Sequence, residues 1–235
     1  MRRLIVGLVF GISVLCGCSK YERIVPEELL VEKNGLQYEN GAGEAFSGIA
    51  VRLYPSGNKK ADIHYANGKQ HGGATLYDKK GNVSITGFYV NGKMSGKWSG
   101  FKDGKMDFSG SYADDKKHGE WSFFKDGKIA EKEIWNLGRQ IQRSDFYDNG
   151  KPAMESKLDE RSQRMEIAAY TKDGKIHART VIDIKKRTGK MSVPGKNAKE
   201  IALTLTLSSD EKHWNIDAGD KTIARINMET CVISR

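Results

Sequence analysis

From residue 46 to residue 155 the chain alternates apolar and polar positions with a period of two, the signature of strands with one half-buried face. Ala61, Ile63 and Tyr65 share one face, as do Val83, Ile85, Gly87 and Tyr89, and Met106, Phe108, Gly110 and Tyr112. Glycines interrupt the runs at fixed intervals. Gly57, Gly81, Gly104, Gly127, Gly150 and Gly174 are spaced by 24, 23, 23, 23 and 24 residues. A second series, Gly68, Gly92, Asp115 and Gly138, falls eleven residues after the first four. A helix interrupted by glycine every eleven or so residues would be costly, so the pattern predicts strands.

The residues at these interruptions name the turn. Asn67-Gly68, Asn91-Gly92, Asp103-Gly104, Asp126-Gly127, Asn149-Gly150 and Asp173-Gly174 are dipeptides suited to the two positive-φ sites of a type I′ hairpin turn. Aromatics recur in the same register. Tyr54, Phe101, Phe124 and Tyr147 lie three places before a first-series glycine, and Tyr65, Tyr89, Tyr112 and Trp135 lie three before the second-series positions. Trp98 and Trp121 match within Gly96-Lys97-Trp98 and Gly119-Glu120-Trp121. The expected fold is all-β: an elongated antiparallel meander in which each hairpin stacks on the next, because one hairpin alone is not stable. Glu131 and Glu133 break the pattern by standing where neighbouring repeats have apolar residues or glycine.

Units such as Gly96-Lys97-Trp98-Ser99-Gly100-Phe101-Lys102-Asp103-Gly104 and its counterpart from Gly119 to Gly127 resemble MORN repeats. They are most similar to the bacterial MORN-variant repeat of the YwqK-type antitoxin family. Gly35-Leu36-Gln37-Tyr38, followed by Phe46-Ser47-Gly48, resembles that family's lead-in. The likeness covers roughly residues 30–155 and implies a stacked hairpin array. It leaves function open, because such arrays occur in unrelated proteins.

The N-terminus reads differently. Arg2 and Arg3 precede an apolar run from Leu4 to Leu15, too short to span a bilayer comfortably and of the length of a signal h-region. Leu15-Cys16-Gly17-Cys18 follows and resembles the lipobox of bacterial lipoproteins, which implies lipidation of Cys18 and cleavage before it. Ser19 then implies outer-membrane sorting in a Gram-negative envelope. The expected organisation is a signal peptide over 1–17, a tether over 18–29, the array over 30–155, a degenerate repeat or linker over 156–175, and a C-terminal β segment over 176–235. In that segment Val181 to Ile184, Ile201 to Leu207, His213 to Ala218 and Thr222 to Met228 read as the strands of a small cap over the open end of the meander.

Composition narrows the chemistry. The chain carries a formal charge of +9, and loss of residues 1–17 removes two arginines and no acid, leaving +7. Such a charge suits anionic headgroups or an acidic partner, although most lysines sit singly beside turn glycines. Export argues against nucleic acid. With Cys18 lipidated, Cys231 is the one thiol left, which excludes an intrachain disulfide and a cysteine metal cluster. His71 and His118 share a repeat position with Ser95, a pattern that fits a variable polar turn better than a metal site. Neither a His-Glu-x-x-His element, a phosphate-binding glycine loop nor a Gly-x-Ser-x-Gly elbow is present. No cofactor and no catalytic residue is expected.

What remains as a candidate recognition surface is the aromatic set Trp98, Trp121 and Trp135 with Tyr54, Phe101 and Phe124, set against their more economical role as core. The functional expectation is a membrane-anchored, non-enzymatic protein that presents the sheet to a protein partner. An immunity protein that neutralises an envelope-targeted toxin, and a phospholipid or cell-wall binding module, are the alternatives.

Overall fold

The computed structural model describes residues 23–194, 200–207, 213–218, 221–227 and 233–234. Cys18, the segment 1–17, the first residues of the expected tether and Cys231 lie outside the described residues. β1 (Ile24–Pro26) leads into a 3-10 turn (Glu27–Leu29) and a short hairpin of β2 (Leu30–Lys33) and β3 (Leu36–Glu39). The main ladder begins with β4 (Gly48–Leu53), β5 (Lys59–Ala66), β6 (Lys69–Tyr77) and β7 (Val83–Val90). β8 (Lys93–Lys102), β9 (Lys105–Ala113), β10 (Lys116–Lys125), β11 (Lys128–Asn136) and β12 (Arg139–Phe146) follow. Then come β13 (Pro152–Asp159), β14 (Arg164–Tyr170), β15 (Ile176–Asp183) and β16 (Thr188–Pro194). β17 (Glu200–Leu207), β18 (His213–Ala218), β19 (Lys221–Asn227) and β20 (Ile233–Ser234) complete it.

The protein is all-β. From β4 onward every strand pairs antiparallel with the next, and β1 joins the ladder parallel to β4. The described residues thus form one 18-strand sheet, with β2–β3 as a separate two-strand sheet. Apart from the 3-10 turn against β4, extensive contacts join only ladder neighbours, so the array is one layer thick.

Residues 24–29, read from sequence as the end of a tether, are folded into this array. Val25 is buried with Phe46, Ala50, Ala61, Ile63, Tyr65, Ala74 and Trp98. Arg23 pairs with Glu39 and Arg52 with Glu27. The segment 156–175 carries the β13–β14 hairpin and continues the meander, as do the C-terminal strands expected to form a cap. β16, with Met191 and Val193 as its only alternating apolar residues, is not among the strands expected from the sequence.

The turns divide into two kinds. Asn67-Gly68, Asn91-Gly92, Asp103-Gly104 and Asp126-Gly127 have positive φ at both residues, as the type I′ assignment requires. At Asn149-Gly150 and Asp173-Gly174 only the glycine does. There the loop is one residue longer: Tyr147 N donates to Lys151 O at 2.9 Å and Gly150 N to Tyr147 O at 2.8 Å, and Thr171, Gly174 and Lys175 repeat the pattern. The type I′ expectation fails at these two sites because a third loop residue absorbs the reversal.

A glycine column holds the middle of the sheet. Gly87 faces the three residues Gly96-Lys97-Trp98 across a wide register shift, and Gly110 faces Gly119-Glu120-Trp121 in the same way. The bulge throws each indole flat over its glycine, where an added Cβ would overlap the ring of Trp98 or Trp121. The backbone at Gly87 and Gly110 is not left-handed, so the demand is purely steric.

Two measurements follow. Gly87→Ala should lower stability by about 1–3 kcal/mol, the usual range for overpacking, in urea unfolding. An unchanged midpoint would mean that the ring does not lie on the glycine. Leu137, at φ 46 in a two-residue turn with Gly138, holds a conformation disfavoured for leucine and tolerated by asparagine. Leu137→Asn should raise stability by about 1 kcal/mol, and a loss on the same assay would contradict the turn geometry.

Candidate functional site

The rings singled out from sequence fall into two groups. Trp98 is 6% exposed and Trp121 2% exposed, so both belong to the core and present no recognition surface. Their neighbours interlock edge to face. Tyr89 and Trp98 lie 5.2 Å apart between centroids, Trp98 and Tyr112 6.0 Å, and Tyr112 and Trp121 5.0 Å. Trp121 Nε1 donates to Ser111 O at 3.0 Å, whereas Trp98 Nε1 is buried without a partner. Burial pushes the phenols of Tyr65, Tyr89 and Tyr112 up from their ordinary value. Trp135, Tyr54, Phe101 and Phe124 are half-buried.

At the fourth repeat the aromatic zipper changes into a charged one. Glu133 occupies the column of Gly87 and Gly110, and Ser144 occupies the column of the tryptophans. With no ring to accommodate, the space over the strand admits a side chain. The register also tightens, since Trp135 pairs with Gln140 and Ile134 with Gln142, which brings Arg143 opposite Glu133.

The Glu133 carboxylate, 7% exposed, is satisfied from three sides: by Trp135 Nε1 at 2.7 Å, Gln140 Nε2 at 2.8 Å and Lys117 Nζ at 3.2 Å. Lys117 Nζ lies 4.5 Å from the Trp121 centroid, 4.7 Å from Trp135 and 5.1 Å from Phe123. The ammonium thus takes the place that the next aromatic would fill. Sequence reading saw Glu133 only as a break. Its signal was the paired exchange of glycine for glutamate and tryptophan for serine one strand apart.

Beside this carboxylate lies Glu131, 3.1 Å from Arg143 Nη2, which also meets Asp145 at 2.9 Å. Burial, opposed by Arg143 and reinforced by Glu133, pushes the Glu131 carboxyl up to about 7. A partly buried carboxyl with a raised pKa is a pattern shared by catalytic acids and structural networks. Here every neighbour is explained by packing within the ladder.

The histidine positions have a structural duty. His71 Nδ1 lies 3.4 Å from the Asn91 amide and His118 Nδ1 3.4 Å from the Leu137 amide. At the earlier equivalent, Ser47 Oγ accepts from the Asn67 amide at 2.8 Å. Each polar side chain faces the turn amide of the next hairpin. Among the described residues no group of three or more His, Cys, Asp or Glu is placed to hold a metal ion.

Several first-series turns are also tied to the next. Tyr54 Oη donates to Tyr77 O at 2.8 Å and Tyr147 Oη to Tyr170 O at 2.7 Å. Asn58 Nδ2 reaches Lys79 O, Asn149 Nδ2 reaches Lys172 O, Lys128 Nζ reaches Asp148 O and Lys151 Nζ reaches Asp173 O, all within 3.1 Å. Hydrogen bonds thus join the Gly57 turn to the Gly81 turn, and the Gly127, Gly150 and Gly174 turns in succession. The three-place spacing that grouped Tyr54 and Tyr147 with Phe101 and Phe124 misaligns them. The ladder equivalents of Phe101 and Phe124 are Tyr77, Phe146 and Tyr170, because the longer loops shift the count by one.

The raised Glu131 carboxyl sets a pH dependence. Between its ordinary 4.5 and about 7 the folded chain holds a proton that the unfolded chain releases. Stability contributed by this group is therefore full below 4.5 and lost as pH rises toward 7. Glu131→Gln should flatten that part of the stability profile and raise the melting temperature at pH 7.5. Identical pH profiles for the two proteins would show that Glu131 is not held in the sheet.

No protein-family model matches the chain, and no curated protein matches it. Among solved structures, a mutant of S. aureus TarM in complex with fondaparinux, alpha-GlcNAc-glycerol and UDP aligns at 14% identity over 55% of this chain, with a TM-score of 0.20. The GtfA/B complex bound to UDP and GlcNAc aligns at 9% identity over 80% of this chain, with a TM-score of 0.15. The aligned parts span 19% and 25% of those chains. Similarity at this level assigns neither fold nor function to the chain.

Proposed function

We propose that the protein is a non-enzymatic, lipid-anchored component of the bacterial cell envelope that presents its sheet to a protein partner. The observation that carries the reading is architectural: a one-layer sheet of successive hairpins, several of whose turns are hydrogen-bonded to the turn of the next repeat, which offers a long surface. Such a shape suits extended contact with another chain better than enclosure of a small molecule. The lipobox-like Leu15-Cys16-Gly17-Cys18 supports the anchor. Only four residues lie between Cys18 and Arg23, whose carbonyl accepts from Ile49 N at 2.7 Å. Such a short link would hold the sheet close to the membrane.

In a second reading the partner is a toxin and the protein an immunity factor, a reading motivated by the family resemblance and the basic charge. A deletion strain sensitised to sibling cells would favour it, and an insensitive strain would remove it.

The anchor is tested with Cys18→Ala. Wild-type protein should fractionate with membranes and incorporate labelled fatty acid, while the variant should lose the label and leave the membrane fraction. Unchanged membrane association of an unlabelled variant would overturn the lipid-anchor reading.

A further inference from the structure

The edge of first-series turns carries a second pattern. In five successive hairpins a ladder pair at or next to the turn joins an aromatic to an aliphatic residue: Tyr77 with Val83, Phe101 with Met106, Phe124 with Ile129, Phe146 with Pro152 and Tyr170 with Ile176, with Lys102–Lys105 and Lys125–Lys128 pairs closing two of the hairpins beyond them. Each pair lies just beyond a one-residue register shift at the same place in its hairpin. Phe101 and Phe124 stand three residues along their strands from Trp98 and Trp121, so they lie on the face opposite the indole core.

Cross-strand stabilisation accounts for such a pair if it is shielded. These pairs are only partly shielded: Val83 is 39% exposed, Met106 38%, Ile129 37% and Ile176 37%. Hairpins two strands apart are separated by about 10 Å, so five pairs make an apolar row about 40 Å long.

Charge borders the row at every step. The five turns between the pairs contain Lys79, Lys80, Lys102, Lys105, Lys125, Lys128, Lys151, Lys172 and Lys175, against one aspartate each: Asp78, Asp103, Asp126, Asp148 and Asp173. The chain enters the sheet at the other end of the strands, since Ile24 is level with Ile49 and β4 runs from there toward the first turn. The row therefore lies at the strand ends away from the entry of the tether.

We infer that this edge is the docking surface for the partner and that it takes a net-acidic protein segment whose apolar side chains seat on the aromatic–aliphatic pairs. The inference rests on the protein-binding reading above and specifies its surface. The lysine excess selects carboxylates and the apolar row supplies the desolvated contact. A bilayer is disfavoured because each turn carries an aspartate that would face anionic headgroups, and because the aliphatic groups are too little exposed to insert.

The test is photo-crosslinking of the full-length protein in cells of its own organism, with a photoreactive phenylalanine replacing Met106 and, separately, Lys93 at the opposite edge. Adducts at Met106 should map to protein segments of net negative charge and exceed those at Lys93. They should fall several-fold in Lys102→Glu/Lys125→Glu, a surface variant whose fold is checked by circular dichroism. Phospholipid adducts, neutral or basic segments, undiminished adducts in the charge variant, or no excess over Lys93 would each overturn the inference. Protein adducts at Lys93 alone would sink this edge while leaving the protein-binding reading intact, and no protein adduct at either site would count against both.

Discussion

The structure depends on the fit of a flat indole over a strand that has no side chain beneath it. A one-layer sheet has no second layer to bury its apolar face, so the face must cover itself. Trp98 and Trp121 do so by lying on Gly87 and Gly110, and a bulge at Gly96 and Gly119 supplies the angle. Two large rings per two repeats are enough to seal the centre because the tyrosines of the second series close their edges. The glycines are therefore not all alike. Those in turns are needed for positive φ, and those in the column are needed for their empty space.

The same constraint explains the charged belt. Once Ser144 replaces the ring, the column position no longer has to be glycine, and Glu133 fills the vacancy with its own hydrogen bonds. Burying one carboxylate is tolerable only because Lys117, Trp135 and Gln140 all point at it. The core on the repeat face therefore passes from rings to ions within one strand spacing, without interruption of the ladder.

Much of this was legible in the sequence. The glycine period and the alternation gave the meander, and Asn-Gly and Asp-Gly located four of the type I′ turns. The core role of Trp98 and Trp121 was also the economical reading. The rest was hidden for definite reasons. A loop longer by one residue looks the same in composition, so Asn149 and Asp173 were assigned the wrong turn. The row of aromatic–aliphatic pairs was invisible because counting from glycine aligned Tyr147, and not Phe146, with Phe101. The period places Glu133 and Ser144 in the glycine and tryptophan columns, but that the two exchanges compensate shows only in the pairing of their adjacent strands. β1 was missed because three residues of parallel strand carry too little pattern.

The central claim is the contact between ring and glycine, and a double-mutant cycle measures it directly. Gly110→Ala is made in the wild-type domain and in a Trp121→Leu background, and urea unfolding gives the loss in each. The account predicts a loss of stability in the wild type that largely disappears once the indole is gone. An equal loss in both backgrounds would place the origin of the glycine requirement in the backbone and contradict the interlock.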